Sequence, residues 1–371
     1  MNEEYINKPT KKPRILIVPL DWGLGHATRC VPIIHLLLKS GASILLAGEG
    51  AVISLLKKEF PAMEALPLKG YRIRYCKEGS SLLFTLFNQL PRIISTIKEE
   101  NRWLQKVVTE HNIDAVISDN RFGLYHKKIP CVYITHQLSI QTGYTWLNNL
   151  AQKINYQCIN RFSECWIPDA AENNNLAGKL SHPLQLPQIP VKYLGPLSRF
   201  KKKEETPTLS LLILLSGPEP QRSIFEKEIM QQLKNNKTSV VLVRGLPNGD
   251  EKPADIDKIK IYNHLAADEL SSLIQQSEWV LARAGYSTIM DLVALQQKAI
   301  LIPTPGQGEQ EYLGAYLHQQ QLFFCCPQKN FNLKNTLQKA SAFTFKWSAI
   351  DKNFNAQIII AWLNGINKTK V

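Results

Sequence analysis

Short runs rich in leucine and β-branched residues, each ending in or followed by small or polar residues, alternate with segments of helical spacing along almost the whole chain. They occur at RILIVPL (14–20), ASILLA (42–47), DAVISD (114–119), CVYITH (131–136) and ECWIPD (164–169). A second series follows at LSLLILLSGPEP (209–220), SVVLVRG (239–245), SEWVLARAG (277–285) and KAILIPTPG (298–306). Continuous apolar runs suit strands buried on both faces, and the helical segments between them suit the crossovers of a parallel sheet. The fold class expected is α/β. Between the two series lies LGPLSRFKKKEETPTLS (194–210), whose two prolines and triple lysine read as an interdomain linker.

A chain of 371 residues exceeds the ~250–300 residues at which single cores stop growing. Two Rossmann-like parallel-sheet domains are therefore expected, residues 1–198 and 209–352, joined by a linker at 199–208. The closing segment 353–371 holds NAQIIIAWLNGI, an amphipathic helix able to pack back toward the first domain. In open parallel sheets ligands bind beyond the carboxyl ends of the strands, so two such domains imply a ligand cleft between them.

Composition narrows the class. Hydrophobic residues make up 44% and charged residues 20%, ordinary values for a globular protein. No run approaches the ~20 apolar residues needed to cross a bilayer, and the start MNEEYINKPTKKPR is polar, unlike a signal peptide. A cytoplasmic protein is the expectation. The seven cysteines contain no CxxC pair, which indicates neither a disulfide framework nor a zinc knuckle. The net charge of +13 is spread over both halves, and it reads either as attraction to an anionic partner or as plain solubility. No RNA-binding signature or aromatic–basic repeat accompanies it.

The loops after the strands carry the candidate site. DWGLGHATRC (21–30) joins a strand to a helix expected at 27–38, so Gly23, Gly25 and His26 sit where helix amides and the positive dipole end face a ligand. In LARAGYSTIMDLVALQQK (281–298) the chain turns at Gly285 and a helix starts around Tyr286 to Thr288. Those amides can take a diphosphate, with Ser287 and Thr288 offering hydroxyls. Asp291 lies roughly 9 Å further along the helix, where a carboxylate can receive a ribose diol. The alternative is a simple turn with a solvated acidic residue in the dipole field. IPTPGQGEQEYLGA (302–315) places Glu309, Gln310 and Glu311 at another helix start, either as caps or as a grip on sugar hydroxyls.

This ordered set of loops resembles the two-domain nucleotide-sugar glycosyltransferases of the GT-B fold, and among them glycosyltransferase family 28, whose members include lipid-linked N-acetylglucosaminyltransferases and galactolipid synthases. The resemblance is specific in the glycine–histidine loop and in residues 264–315. It implies a UDP-sugar donor held mainly by the second domain. Tyr286, Ser287 and Thr288 would lie against the diphosphate, and Asp291 would take the ribose where the family usually has Glu. Gln310 would hold the sugar with Glu309 or Glu311, Leu265 would lie beside the uracil through its backbone, and Arg199 would contact phosphate. Ser216 and Gly217 preserve the phosphate-loop character of SGPEPQR (216–222), in which Pro218 and Pro220 replace flexible positions. His26 would be the base that deprotonates the acceptor, oriented by Asp119; His136 is its rival.

The implied reaction inverts the anomeric carbon and needs no metal and no cofactor besides the donor substrate. The acceptor is a hydroxyl compound, with a lipid-linked one suggested by the family. Residues 57–106 hold 10 Lys+Arg against 5 Asp+Glu around SLLFTLFNQLPRIISTI. That segment suits either an anionic membrane surface, making the protein peripheral on the inner face, or a core-facing helix with snorkelling lysines. A UDP-N-acetylglucosamine 2-epimerase on the same fold, a basic nucleic-acid-binding protein and a non-catalytic nucleotide-sugar binder are the competing readings, and nucleic acid is not the expected partner.

Overall fold

The structure, a computed structural model, describes residues 12–71, 82–140, 145–172, 174–234, 237–247, 249, 251, 253–347 and 352–368, with side chains of 82–90, 145–147, 367 and 368 left aside. The first half runs β1 (Arg14–Pro19), α1 (Leu24–Lys39), β2 (Ser43–Gly48), α2 (Gly50–Glu59), β3 (Ala65–Pro67), α3 (Leu82–Glu110), β4 (Ala115–Asp119), β5 (Cys131–Ile134), α4 (Thr145–Ile159), β6 (Glu164–Ile167) and β7 (Val191–Tyr193). The second half runs β8 (Leu209–Leu214), α5 (Gln221–Leu233), β9 (Val240–Val243), β10 (Ile259–Tyr262), α6 (Ala267–Gln275), β11 (Ser277–Ala282), α7 (Tyr286–Leu295), β12 (Ala299–Leu301), α8 (Gly308–Gln319), β13 (Phe324–Cys325), α9 (Leu333–Ser341) and α10 (Ala356–Lys368).

Each half folds into one parallel sheet. The first is seven-stranded in the order β3-β2-β1-β4-β5-β6-β7, the second six-stranded in the order β10-β9-β8-β11-β12-β13. Both are doubly wound: the chain moves outward on one side of the first strand, then returns to build the other side. The loops that part at such a reversal leave a crevice at the carboxyl end. In the first sheet the reversal lies between β1 and β4, where Pro19 is in register with Asp119. In the second it lies between β8 and β11, where Leu214 pairs with Ala282. The loops after β1, β8 and β11 thus sit at the two crevices, and the loop after β12 lies one strand further out.

The inner strands of both sheets are buried along most of their length, which is why they read as continuous apolar runs. One apolar cluster crosses between the halves, joining Ile33 and Ile34 of α1 to Ile289 and Val293 of α7. Helix α10 adds Ile359, Trp362 and Leu363 to that cluster, and its Trp362 meets Trp166 of β6 edge-on with ring centroids 5.2 Å apart. The last helix of the chain therefore packs on the first sheet.

The strands β3, β7, β10 and β13, of two to four residues, extend the sheets beyond the runs legible in sequence. They are edge additions too short to show a period. In α3, Leu104 and Val107 are buried in the core while Arg92, Lys98, Arg102 and Lys106 are exposed. The expectation of a membrane-facing segment at 57–106 falls partly on residues 72–81 and on the side chains of 82–90, which lie outside the described residues.

Candidate active site

The glycine–histidine loop is built for close approach. Gly23 caps α1 at φ +150°, a backbone conformation that favours glycine. At Gly25 an added Cβ would lie 2.7 Å from Ser287 Oγ, and Ser287 Oγ donates to the Gly25 carbonyl at 2.9 Å. The first turn of α7 in the second domain is therefore seated directly on the first turn of α1 in the first.

His26 follows at once. Its Nδ1 lies 2.9 Å from Asp119 Oδ2, at the carboxyl end of β4. The sheet order brings these two together, since β1 and β4 are neighbours though 93 residues separate the pair. Burial and the nearby Arg29 hold the imidazole below its ordinary pKa, against the opposing pull of Asp119. For Asp119 burial acts upward, but Arg29 and His26 outweigh it and keep the carboxyl below its usual range.

Arg29 is the residue that sequence reasoning missed. It is 2% exposed, its Nε donates to Asp119 Oδ2 at 2.9 Å, and Nη2 donates to Asp119 Oδ1. Nη2 also lies 2.8 Å from His26 Nδ1, and Nη1 lies 3.2 Å from His136 Nδ1. The available signal was its spacing, three residues after His26 and so on the same helix face. Burying this guanidinium leaves a charge to be compensated, and Asp119 is the carboxylate that does so.

His136, the rival base, is engaged on both nitrogens. A guanidinium can only donate, so His136 Nδ1 accepts from Arg29 and its Nε2–H donates to Glu309 Oε1 at 2.7 Å. Its ring also stacks on Tyr286, with centroids 4.2 Å apart and planes inclined by 6°. Neither nitrogen is free to take a proton from an acceptor. The structure thus leaves His26 as the histidine with an open Nε2 side.

The start of α7 serves two purposes. Gly285 caps it and the amides of Tyr286, Ser287 and Thr288 lie at its amino end. The Tyr286 side chain, however, crosses into the first domain, where its OH donates to the Pro168 carbonyl at 2.9 Å. One helical turn onward, Asp291 Oδ1 accepts from Ser198 Oγ at 2.6 Å. Burial pushes Asp291 up to about 6, despite Arg199 and the Ser198 hydroxyl.

Beside these residues is a cavity of about 360 Å³, within the ~300–1,000 Å³ range of small-molecule pockets. Arg199, Leu246, Asn263 and His264 line one side, and Lys58 and Glu59 of α2 the other. Arg199 Nε is buried with no protein partner. Burial, Lys58 and Arg199 together hold His264 below its ordinary pKa. Leu265 turns its side chain into the core, and the neighbouring His264 and Ala266 line the cavity.

The remaining expected residues divide. Ser216 and Gly217 are exposed after β8, with Gly217 at φ +101°. Glu309 reaches across the domain boundary, its Oε2 accepting from Gln137 Nε2 at 2.8 Å in addition to the His136 contact. Burial acts upward on Glu309, but His136, Arg29 and His26 hold it below the ordinary carboxylate value. Gln310 accepts from the Thr304 amide at 2.9 Å and donates to Gln307, while Glu311 accepts from the Gly306 amide. These last two bind their own helix start in this structure. Among the described residues no group of three or more His, Cys, Asp or Glu is arranged to hold a metal ion, and no helix is long and apolar enough to cross a membrane.

Comparison with known proteins agrees with this architecture. Residues 221–352 match the glycosyltransferase family 28 C-terminal domain. An uncharacterized glycosyltransferase of Methanosarcina acetivorans is 24% identical over 335 residues, covering 83% of this chain and 84% of the relative. A UDP-N-acetylglucosamine–N-acetylmuramyl-(pentapeptide) pyrophosphoryl-undecaprenol N-acetylglucosamine transferase of Buchnera aphidicola is 23% identical over 296 residues, covering 78% and 72%. The spinosyn rhamnosyltransferase SpnG, solved with thymidine diphosphate, superposes with a TM-score of 0.59 at 12% identity over 96% of each chain. Residues 221–352 thus match the glycosyltransferase family 28 C-terminal domain on a two-domain GT-B fold, and the chain is a glycosyltransferase.

Proposed function

We propose that the protein is an inverting, metal-independent transferase that moves a hexose or N-acetylhexosamine from a UDP-sugar to an acceptor hydroxyl. The observation that carries this reading is the 2.9 Å contact between His26 and Asp119 at the crevice facing the start of α7. With the Nδ1–H donated to Asp119, His26 Nε2 is free to accept the acceptor's proton. The deprotonated oxygen attacks the anomeric carbon from the face opposite the leaving diphosphate, which inverts its configuration.

Charge building on the leaving diphosphate is met by the α7 amides and by Arg199, work that a divalent cation would otherwise do. The cavity beside Arg199, Asn263 and His264 takes the nucleoside, with Asp291 at the ribose. Gln310, with Glu311, holds the sugar once they exchange their present partners for its hydroxyls, while Glu309 keeps its contact with His136. The nucleotide sugar is a substrate, and no separate cofactor enters the scheme.

The Buchnera relative is named for transfer to a pyrophosphoryl-undecaprenol-linked sugar, which supports a lipid-linked acceptor for this chain. The exposed Arg92, Lys98, Arg102 and Lys106 on α3, with Ile94 exposed among them, suit a peripheral position on an anionic inner-face membrane. Calorimetric titration with UDP, UDP-N-acetylglucosamine, UDP-galactose and UDP-glucose in EDTA tests the donor. Micromolar binding that disappears in Asp291→Ala is expected. Failure of every uridine nucleotide to bind would overturn the donor assignment, and thymidine diphosphate is the next nucleotide to titrate.

A further inference from the structure

Five ionisable groups form a continuous chain, buried at its centre and partly exposed at both ends, from the second domain to the base: Glu309 on α8, His136 after β5, Arg29 on α1, Asp119 ending β4 and His26 on α1. The donor and acceptor rules of these groups make the chain more than an ion cluster. Both histidines present Nδ1 to the same guanidinium, which can only donate. His26 Nδ1 has two incompatible neighbours, the acceptor Asp119 Oδ2 at 2.9 Å and the donor Arg29 Nη2 at 2.8 Å. If Nδ1 carries the proton it bonds Asp119, and Nε2 is open to serve as base. If Nδ1 is bare it accepts from Arg29, the proton moves to Nε2, and the ring cannot act as base.

We propose that Glu309 and His136 act as positioning residues that, through Arg29, hold His26 in its Nδ1–H form when α8 of the second domain is seated on the first. This rests on His26 being the base. With Glu309 at His136 Nε2, the His136 proton stays on that nitrogen and Nδ1 keeps Arg29 Nη1 engaged. Without Glu309, His136 is free to move its proton to Nδ1, where it opposes Arg29 Nη1. The guanidinium then turns toward His26 Nδ1, its other acceptor. Domain closure and arming of the base are thereby one event.

The test reads the ring protons directly, independent of turnover. Long-range proton–nitrogen NMR spectra of the full-length, histidine-labelled protein report which nitrogen of His26 is protonated, with His26→Asn supplying the assignment. Wild type is expected to show predominantly Nδ1–H. Glu309→Ala, at a partly exposed site on the first turn of α8, is expected to shift the majority to Nε2–H. His136→Asn places a fixed acceptor oxygen near the former Nδ1 position, so in that background Glu309→Ala should no longer move the His26 equilibrium. An unchanged His26 spectrum in Glu309→Ala overturns the relay. Wild-type turnover by His26→Asn would instead remove the base reading and leave the tautomer result standing.

Discussion

Asp291 of α7 accepts a 2.6 Å hydrogen bond from Ser198 at the end of the first domain, and burial of the carboxyl at that contact gives donor binding a pH dependence. Burial pushes the Asp291 carboxyl up to about 6. Below that pH the free protein holds a proton that must leave before the carboxylate can receive a ribose diol. Affinity for a UDP-sugar, whose diphosphate is esterified at both ends and does not titrate in this range, should therefore be flat above pH 7 and fall by up to about tenfold per unit below pH 6, since a one-unit shift corresponds to ~1.4 kcal/mol. Calorimetry from pH 5 to 8 reads this slope, and Asp291→Asn should abolish it.

Gly25 and Ser287 meet so closely that the first side-chain carbon decides whether the domains seat. Alanine at position 25 would place Cβ 2.7 Å from Ser287 Oγ and 3.1 Å from its Cβ. Overpacking of this kind costs about 1–3 kcal/mol, here charged to the closed arrangement. Gly25→Ala should lower kcat/KM roughly 10-fold or more, and Ser287→Gly in the same chain should restore most of it. Additive losses in the double variant would show that the two residues do not touch during turnover.

His26 and Asp119 should separate activity from stability. His26→Asn removes a general base, a loss of about 10²–10⁴ in kcat, with little change in folding. Asp119→Asn leaves the Arg29 guanidinium, 2% exposed, without its carboxylate. Breaking one side of a buried ion pair costs about 3–5 kcal/mol. Urea unfolding should therefore show a much larger drop for Asp119→Asn than for His26→Asn, and equal drops would contradict the Arg29–Asp119 assignment.

The sheets and the crevices are legible in sequence because burial on both faces writes each long strand as an apolar run, and because small and polar residues mark the turns after β1, β4, β8 and β11. What the pattern hides is direction. Tyr286 reads as a helix-start residue, and nothing local shows that its ring leaves its own domain to stack on His136. Glu309 reads as a cap, yet it reaches the first domain, while Gln310 and Glu311 do cap their own loop. Arg29 reads as one more charge on an amphipathic helix. Arg283 is similar: closing a strand, it is 1% exposed, and donates to the Ile302 and Pro303 carbonyls and to Gln328, with burial pushing it down to about 10. Burial of a cation depends on partners far along the chain, and periodicity carries no such information.

Arg199 offers the sharpest separation of phosphate from nucleoside binding. Its side chain lines the cavity with Asn263 and His264, and its Nε is buried without a protein partner. A hydrogen bond from a charged donor contributes about 1.5–3 kcal/mol, or roughly 10- to 150-fold in affinity. Arg199→Met should weaken UDP by that factor and leave uridine, which carries no phosphate, within about 2-fold of wild type. Because the lost interaction is between charges, the wild-type preference for UDP over uridine should also shrink as salt is raised from 50 to 500 mM. Equal weakening of UDP and uridine would place Arg199 against the base or ribose and move the phosphate contacts to the α7 amides alone.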